Sequence, residues 1–277
     1  MTVSKLAQQW GVAMATATKA LTVLRNDGVV LARPRSGTVV APDTVRQRAS
    51  PGGVEPTHAR IVDAAMRIAD VDGLAAVSMR MVAARLGVAT MTIYRHVRDK
   101  EDLLVQMSEA AYGEQPPAEE QPVGWRSRVE LASRRLWEIH KRHPWLTQIT
   151  PLTRPLPLHN QLAYSEMVLS ALAECGVDPV AAFDLDVLLY SHVIGTAAHL
   201  EGEARAAAAT GVSDEQWITG QMPALEALVA TGRFPSFAAT LTEMDRRGGY
   251  DLDLDRLFEL GLRLLLDGVA AMVEPSQ

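Results

Sequence analysis

The tripeptide Gly-Val-Ala occurs twice in this chain of 277 residues, at positions 11–13 and 87–89. When the two copies are aligned, similar residues also coincide on either side: Leu6 with Val82, Ala7 with Ala83, Trp10 with Leu86 and Thr16 with Thr92. Each copy lies between two short stretches with helical spacing of apolar residues, which is the layout of a helix-turn-helix. Such a unit presents its second helix to the DNA major groove. The repeat therefore predicts a mainly α-helical protein with two helix-turn-helix units, followed by an all-helical bundle.

Charge is distributed unevenly along the chain, whose net charge is −6. Residues 1–50 contain seven Lys/Arg and two Asp/Glu, residues 51–112 contain seven and eight, and residues 113–277 contain thirteen and twenty-three. A basic end joined to an acidic bulk is typical of a protein that docks one end on phosphates. The single cysteine, Cys175, fits a reducing cytoplasm. We find no signal peptide and no uninterrupted apolar run near the ~20 residues that span a bilayer, so we expect a cytoplasmic protein.

The sequence of residues 57–112 predicts the second helix-turn-helix. A buried helical face is indicated by apolar residues three and four apart, namely Ile61, Ala64, Ala65, Ile68 and Ala69. Gly73 is a stop signal, Ser78 is placed to cap the next helix, and Gly87 supplies the turn. We expect a third helix from about Thr90 to Val97 and a fourth that Asp99 caps.

The predicted third helix carries small polar, aromatic and basic side chains, which suit base edges and phosphates. Ile93 and Val97 can face the core. The candidate DNA contacts lie largely elsewhere and are Thr90, Met91, Thr92, Tyr94, Arg95, His96 and, just beyond, Lys100. The alternative is a plain three-helix core whose polar residues only keep it soluble.

This segment resembles the DNA-binding domain of the TetR family of repressors. The run 91–100 is close to the Thr-Leu-Tyr-x-His-Val-x-x-Lys pattern of the tetracycline repressor branch, with Ile93 where Leu is usual. The resemblance implies that Thr92 and Arg95 face bases. The phosphate anchors that it implies are Tyr94, His96 and Lys100.

Residues 1–41 predict a winged helix-turn-helix. A helix after the first Gly-Val-Ala runs to about Asn26, and apolar runs on both sides of Arg33-Pro34-Arg35-Ser36-Gly37 predict a β-hairpin. Arg33 and Arg35 near its tip suit a wing that reaches phosphates or the minor groove. Residues 42–56, rich in Pro and Gly, predict a flexible linker.

This first segment resembles the winged helix of the GntR family through Leu6, Ala7, Gly11, Val12, Thr16, Ala20, Leu21 and Leu24. The candidate DNA contacts in its recognition helix are Thr16 and Lys19. Met14 and Thr18 occupy positions where that family commonly has Arg, and the family's first helix is missing before Ser4. Either translation starts upstream of Met1, which we favour, or this segment is incomplete and depends on the rest of the protein for its stability.

Residues 113–277 predict an all-helical domain, with helices from Trp125 to about His143 and near 158–175, 179–204, 213–231 and 252–273. The last helix is apolar on more than one side, and a C2 dimer would cover the second side. The TetR resemblance continues in Trp125-Arg126-x-Arg128 and His143-Pro144-Trp145 and implies a ligand-binding dimerisation domain. It makes 179–204 and 252–273 the interface candidates; the alternative is a monomeric bundle.

An inducer pocket combines apolar walls with a few polar groups. The candidates for it are Trp137, His140, His143, Trp145, Met167, Tyr190, His192, His199 and Trp217. We expect no intrinsic metal site or cofactor, because no further ligands complete the histidine pairs. A metal delivered with a chelating ligand stays open by the family resemblance.

These features favour a ligand-responsive transcriptional regulator, most simply a repressor that an inducer releases from operator DNA. One alternative is an architectural protein that bridges DNA without a ligand. Another is an enzyme targeted to DNA, which is disfavoured because the sequence shows no Gly-rich phosphate loop, nucleophile elbow or Cys/His arrangement.

Overall fold

The computed structural model describes residues 9, 11, 13–14, 16–18, 20–21, 30–33, 37–40, 56–114, 122–149 and 152–273. The chain folds into two units, one formed by residues 1–114 with 156–160 and the other by residues 115–155 with 161–277. Apart from Pro56, the predicted linker at 42–56 lies outside the described residues.

The predicted β-hairpin is confirmed at the level of the backbone. Strand β1 (Val30–Arg33) pairs with the antiparallel strand β2 (Gly37–Val40), so that residue 30 faces residue 40 and residue 33 faces residue 37. Upstream of it, the described residues 14, 16–18 and 20–21 are helical, and Gly11 has a positive φ of 62°. That turn and helix agree with the predicted course of the chain after the first Gly-Val-Ala.

Four helices form the rest of the first unit: α1 (His58–Asp72), α2 (Met79–Leu86), α3 (Thr90–Ile93) and α4 (Lys100–Gly113), with a 3-10 turn at Leu74–Ala76. The predicted caps are confirmed: Ser78 Oγ accepts from Met81 N at 3.2 Å, and Asp99 Oδ1 accepts from Asp102 N at 2.7 Å. Each cap satisfies an amide that has no partner inside its helix.

The predicted length of the third helix is wrong. Regular α-helix ends at Ile93 rather than Val97, because two of the next amides bond three residues back, Arg95 N to Thr92 O at 3.3 Å and His96 N to Ile93 O at 2.9 Å. The Val97 amide again bonds four residues back, to Ile93 O at 3.0 Å. The tighter winding at Arg95 and His96 is typical of the last turn of a helix. It changes the spacing of the side chains after Ile93 but keeps the segment helical in course.

A short segment around residue 160 belongs to the first unit. Asn160 N donates to Glu109 Oε1 at 3.0 Å, and Asn160 Nδ2 donates to the Glu109 carbonyl oxygen at 2.9 Å. A Cβ atom on Gly113 would lie only 2.6 Å from Asn160 Nδ2. Glycine at the end of α4 therefore makes room for this pair of hydrogen bonds.

The second unit is an all-helical bundle, as predicted. Its helices are α5 (Trp125–Arg142), α6 (His159–Glu174), α7 (Pro179–Thr210), α8 (Asp214–Ala230), α9 (Pro235–Arg246) and α10 (Leu254–Val273), with a 3-10 turn at Pro144–Gln148. The first two residues of α6 belong to the first unit. Helix α9 was not predicted from the sequence. Its signal in the sequence is the spacing of Phe237, Leu241 and Met244, four and three residues apart, although the helix buries none of its residues.

An aromatic stack joins three helices at the centre of this bundle. Phe258 of α10 lies between Trp137 of α5 and His192 of α7, with ring centroids 4.8 Å and 5.5 Å away and interplanar angles of 8° and 5°. His192 Nε2 is also 2.9 Å from the Phe258 carbonyl oxygen, and a Cβ atom on Gly261 would lie 2.2 Å from the His192 ring. Gly261 is thus needed for the close approach of α7 and α10.

Candidate DNA interface and ligand-binding core

The turn between α2 and α3 has the geometry expected of a helix-turn-helix. Gly87 adopts a left-handed conformation, with φ 68° and ψ 29°, that glycine tolerates best. Its amide and that of Val88 bond back to the end of α2, the latter to the Ala83 carbonyl at 3.0 Å. The side chains of Ile93, in α3, and of Val97 are fully buried, so they anchor the segment after the turn in the apolar core.

The predicted DNA contacts occupy the remaining positions of this segment. Met91 and Arg95 are exposed, while five are half-exposed: Thr90, Thr92, Tyr94, His96 and Lys100. A partly exposed threonine or tyrosine is restrained by its neighbours and can still present its hydroxyl to the outside. The arrangement can therefore offer a guanidinium and hydroxyls to the edges and backbone of a DNA groove, whereas the Nε2 atom of His96 is buried.

An arginine–aspartate pair fixes the start of α4. Asp102 accepts hydrogen bonds from Arg98 N at 2.9 Å and Arg98 Nη2 at 3.3 Å, and its own amide donates to Asp99. The hydrogen bond from the Arg98 side chain is the main cause that lowers the pKa of Asp102, which stays ionised at neutral pH. This role of Asp102 was not predicted from the sequence, although its place in the first turn of a capped helix is the signal for it.

The predicted first helix-turn-helix is described only in part. Thr16 is exposed on a helical stretch, and Arg33 ends β1, although its side chain lies outside the described residues. Lys19 and Arg35 lie outside them altogether. The structure therefore places one of the four predicted contacts of this segment, Thr16, on the surface.

The nine residues predicted for an inducer pocket differ in how deeply they are buried. Five are buried in the second unit: Trp137, His140, His143, Trp145 and Met167. Tyr190 and His192 are half-buried, whereas His199 and Trp217 are exposed. The structure thus brings most of the set into the bundle core and leaves two members on its surface.

His140 is a neutral member of that core. Its Nδ1 atom is 2.7 Å from the Leu136 carbonyl oxygen, so Nδ1 carries the proton and donates it. Its ring meets Tyr190 edge-on, with centroids 6.2 Å apart. Burial lowers the pKa of His140 to about 4, so the ring is uncharged at neutral pH.

A small, partly open cavity of about 20 Å³ lies between α5, α6 and α7. Of the nine predicted residues only Tyr190 lines it; Trp137 lines a separate, more open cavity of about 330 Å³ beside residues 251–255. The polar lining of the smaller cavity also includes residues that were not predicted from the sequence: Ser133, Gln161, Tyr164, Ser165 and Asp186.

Asp186 is the carboxylate in that lining. It is buried, it accepts a hydrogen bond from the Ser165 hydroxyl, and burial raises the pKa of its carboxyl group. A signal for it exists in the sequence, because Asp186 stands in register with the buried residues Ala182, Leu189 and Val193. In the part of the chain that the structure describes, no group of three or more His, Cys, Asp or Glu is arranged to hold a metal ion.

Two family models match this chain, and both concern the same family. Residues 61–107 match "Bacterial regulatory proteins, tetR family", and residues 116–273 match "Tetracyclin repressor-like, C-terminal domain". The chain belongs to the TetR family. The resemblance found in the sequence of residues 57–112 and beyond is thereby confirmed, whereas the matches give no support to a GntR-type winged helix before residue 61.

Individual TetR-family relatives agree with this assignment. The HTH-type transcriptional repressor DrrR1 of Streptomyces coeruleorubidus is 32% identical over 224 residues, which are 80% of this chain and 80% of that protein. Apo ActR of Streptomyces coelicolor superposes with a TM-score of 0.63 at 26% identity, covering 80% of this chain and 99% of ActR. ActR in complex with (S)-DNPA gives 0.59 at 29%, covering 79% and 98%. These relatives are transcription regulators or TetR-family proteins.

Proposed function

We propose that this TetR-family regulator is a transcriptional repressor that a small molecule releases from its DNA operator. The observation that carries the proposal is the fixed α2–turn–α3 unit, whose outer side chains are suited to a DNA groove. DrrR1 is named a repressor, and ActR has been solved both without a ligand and with (S)-DNPA, which supports a ligand-responsive second unit. The ligand would act by changing the distance between the two α3 helices of a dimer.

We assign base contacts to Thr92 and Arg95, with Thr90 and Met91 beside them at the start of α3. A guanidinium can donate two hydrogen bonds to one guanine, which makes Arg95 the strongest candidate for sequence recognition. Tyr94, His96 and Lys100 would hold phosphates, where the requirement is charge or a single donor rather than a fixed pattern.

We infer a homodimer from α7 and α10, each of which is apolar on two sides. One side packs in the core through residues such as Leu189 and Phe258, while Phe183 and Leu264 are exposed on the helix surfaces. Within the described residues, Pro179–Leu200 of α7 is long and apolar enough to cross a membrane by length and composition alone. A second copy of this chain would cover these apolar surfaces and explain them.

Leu264→Glu is expected to convert the dimer to a monomer, because it would bury a carboxylate in the interface. The matched control is Leu162→Glu on α6, since both leucines are 60% exposed. Analytical ultracentrifugation should show the mass halved for the first variant only. Loss of the second half-site contact should also lower affinity for an operator by about 100-fold. A Leu264→Glu variant that stays dimeric would contradict this interface.

We propose that residues 1–41 form a GntR-like winged helix that adds DNA contacts through Thr16, Lys19, Arg33 and Arg35. The hairpin backbone and the basic composition of residues 1–50 support it. Recognition would remain with α3, because the recognition helix of this first segment has Met14 and Thr18 at positions where the GntR family commonly has Arg.

The contribution of the first segment can be measured in the full chain with Lys19, Arg33 and Arg35 all replaced by alanine. If they contact phosphates, the slope of log affinity against log salt should fall by about 2–3 per subunit for binding to DNA flanking the gene. An unchanged slope would show that this segment does not touch the operator.

The remaining assignments follow from this role. We place the protein in the cytoplasm with its DNA, and we assign it no enzymatic activity and no cofactor of its own. A purely architectural DNA-bridging protein is the competing function. Its DNA complex would be unaffected by every compound tested, whereas a repressor of the proposed kind is released by its inducer.

A further inference from the structure

Asp186 is unusual among the carboxylates of the second unit. Its exposed fraction is 9%, and it accepts a hydrogen bond from one hydroxyl, that of Ser165. Among the described residues, no lysine, arginine or histidine forms an ion pair with it. By contrast, Asp255 bonds Lys141 at 2.9 Å, and Glu259 bonds Arg134 at 2.9 Å. A buried carboxylate without a counter-charge is costly, and groups of this kind concentrate at functional sites.

The cavity beside Asp186 has the size and lining of a small cation site. Its volume of about 20 Å³ exceeds the roughly 10–15 Å³ that one water-sized group needs. Ser133, Gln161 and Ser165 add oxygen atoms that can accept hydrogen bonds. The rings of Tyr164 and Tyr190 complete the polar side, and aromatic faces attract cations.

We propose that this cavity is the subsite for the protonated amino group of a hydrophobic primary amine. An ammonium group supplies the missing positive charge and three N–H donors for the surrounding oxygens. A water molecule has the same size but brings no charge and only two donors. This volume takes the ammonium group alone, and the leucine and valine side chains of the lining would contact the apolar body where it leaves the cavity. The inference rests on the proposed function, because it names the chemical class of ligand to which the second unit responds.

The test is isothermal titration calorimetry of the full chain at neutral pH with three amines: benzylamine, cyclohexylmethylamine and naphthylmethylamine. Each is compared with the alcohol in which a hydroxyl replaces the ammonium group. We expect at least one amine to bind at least about tenfold tighter than its alcohol, the effect of a charged hydrogen bond to a buried partner. Equal affinities, or no binding by any of the three amines, would overturn the proposal and leave the cavity as a site for water.

Two variants assign the preference to this carboxylate. Asp186→Asn keeps the shape of the side chain and should abolish the preference for amines, while Ser165→Ala should weaken amine binding and retain some preference. The matched control is Asp184→Asn, which changes an exposed carboxylate on the same helix and should bind amines as the wild type does. Circular dichroism verifies that each variant is folded. An Asp186→Asn protein that still prefers amines would refute the assignment.

Release of operator DNA by the same amines and by neutral compounds, measured beside the titrations, separates this inference from the proposed function. If an amine binds with the expected preference but leaves operator DNA bound, the subsite stands and release by that ligand fails. If a neutral compound releases the DNA while amines do not bind, the repressor proposal stands and the subsite is wrong.

Discussion

Replacing Trp137 with alanine is expected to lower the free energy of unfolding of the second unit by about 3–5 kcal/mol, the range for removal of a buried large aromatic side chain. Trp137 is 2% exposed and stacks on Phe258, and its Nε1 atom donates to Asp255 Oδ1 at 2.6 Å. The substitution would leave a cavity at the junction of α5 and α10 and would remove a hydrogen bond between them.

The matched control is Trp217→Ala. Trp217 lies on α8 and is 55% exposed, so its removal should change the unfolding free energy by no more than about 0.5 kcal/mol. Urea denaturation followed by circular dichroism measures both variants without relying on tryptophan fluorescence. Equal losses of stability in the two variants would show that the stack around Phe258 is not the centre of this unit.

Arg95→Ala and Lys100→Ala are expected to weaken DNA binding in different ways. Loss of a bidentate base contact by Arg95 should cost about 1–3 kcal/mol on the preferred sequence and relax the choice of base at one position of each half-site. Loss of a phosphate contact by Lys100 should weaken binding to all sequences alike and reduce the salt slope by about 1 per subunit.

Fluorescence anisotropy with a matched and a scrambled DNA duplex, each at several salt concentrations, separates the two effects. Arg67→Ala is the control, because Arg67 is an exposed arginine on α1 that pairs with Asp63 at 2.8 Å, outside the α2–α3 unit. If Arg95→Ala and Lys100→Ala give the same change in specificity and salt slope, the division into base and phosphate contacts is wrong.

The first unit could be predicted closely from sequence because its signals are local. Ser78, Gly87 and Asp99 are capping or turn residues whose role depends on neighbours within four positions, and each cap formed as expected. The end of α3 could not be predicted in the same way. Bonds to the third and to the fourth residue back both occur between Tyr94 and Val97, and the spacing of Ile93 and Val97, both buried, fits a regular helix equally well.

The candidate ligand-binding core is harder to predict because it depends on contacts between distant residues. The histidines and tryptophans chosen by residue type are mostly buried, yet Trp217 is exposed on a helix that packs little in this chain. Asp186 was missed because charged residues within an apolar stretch are usually solvated, as its neighbour Asp184 is. The signal that distinguishes the two is helical register, since Asp186 and not Asp184 is spaced with the buried residues Ala182, Leu189 and Val193.

The most direct measurement is a footprint of the full chain on the DNA flanking its own gene, repeated with the double variant Thr92→Ala/Arg95→Ala. We predict a protected site with two symmetric half-sites, as a dimer with one α3 in each half-site requires, and loss of that protection in the variant. Protection by the variant at the same site and the same concentration would contradict the claim that α3 recognises the operator.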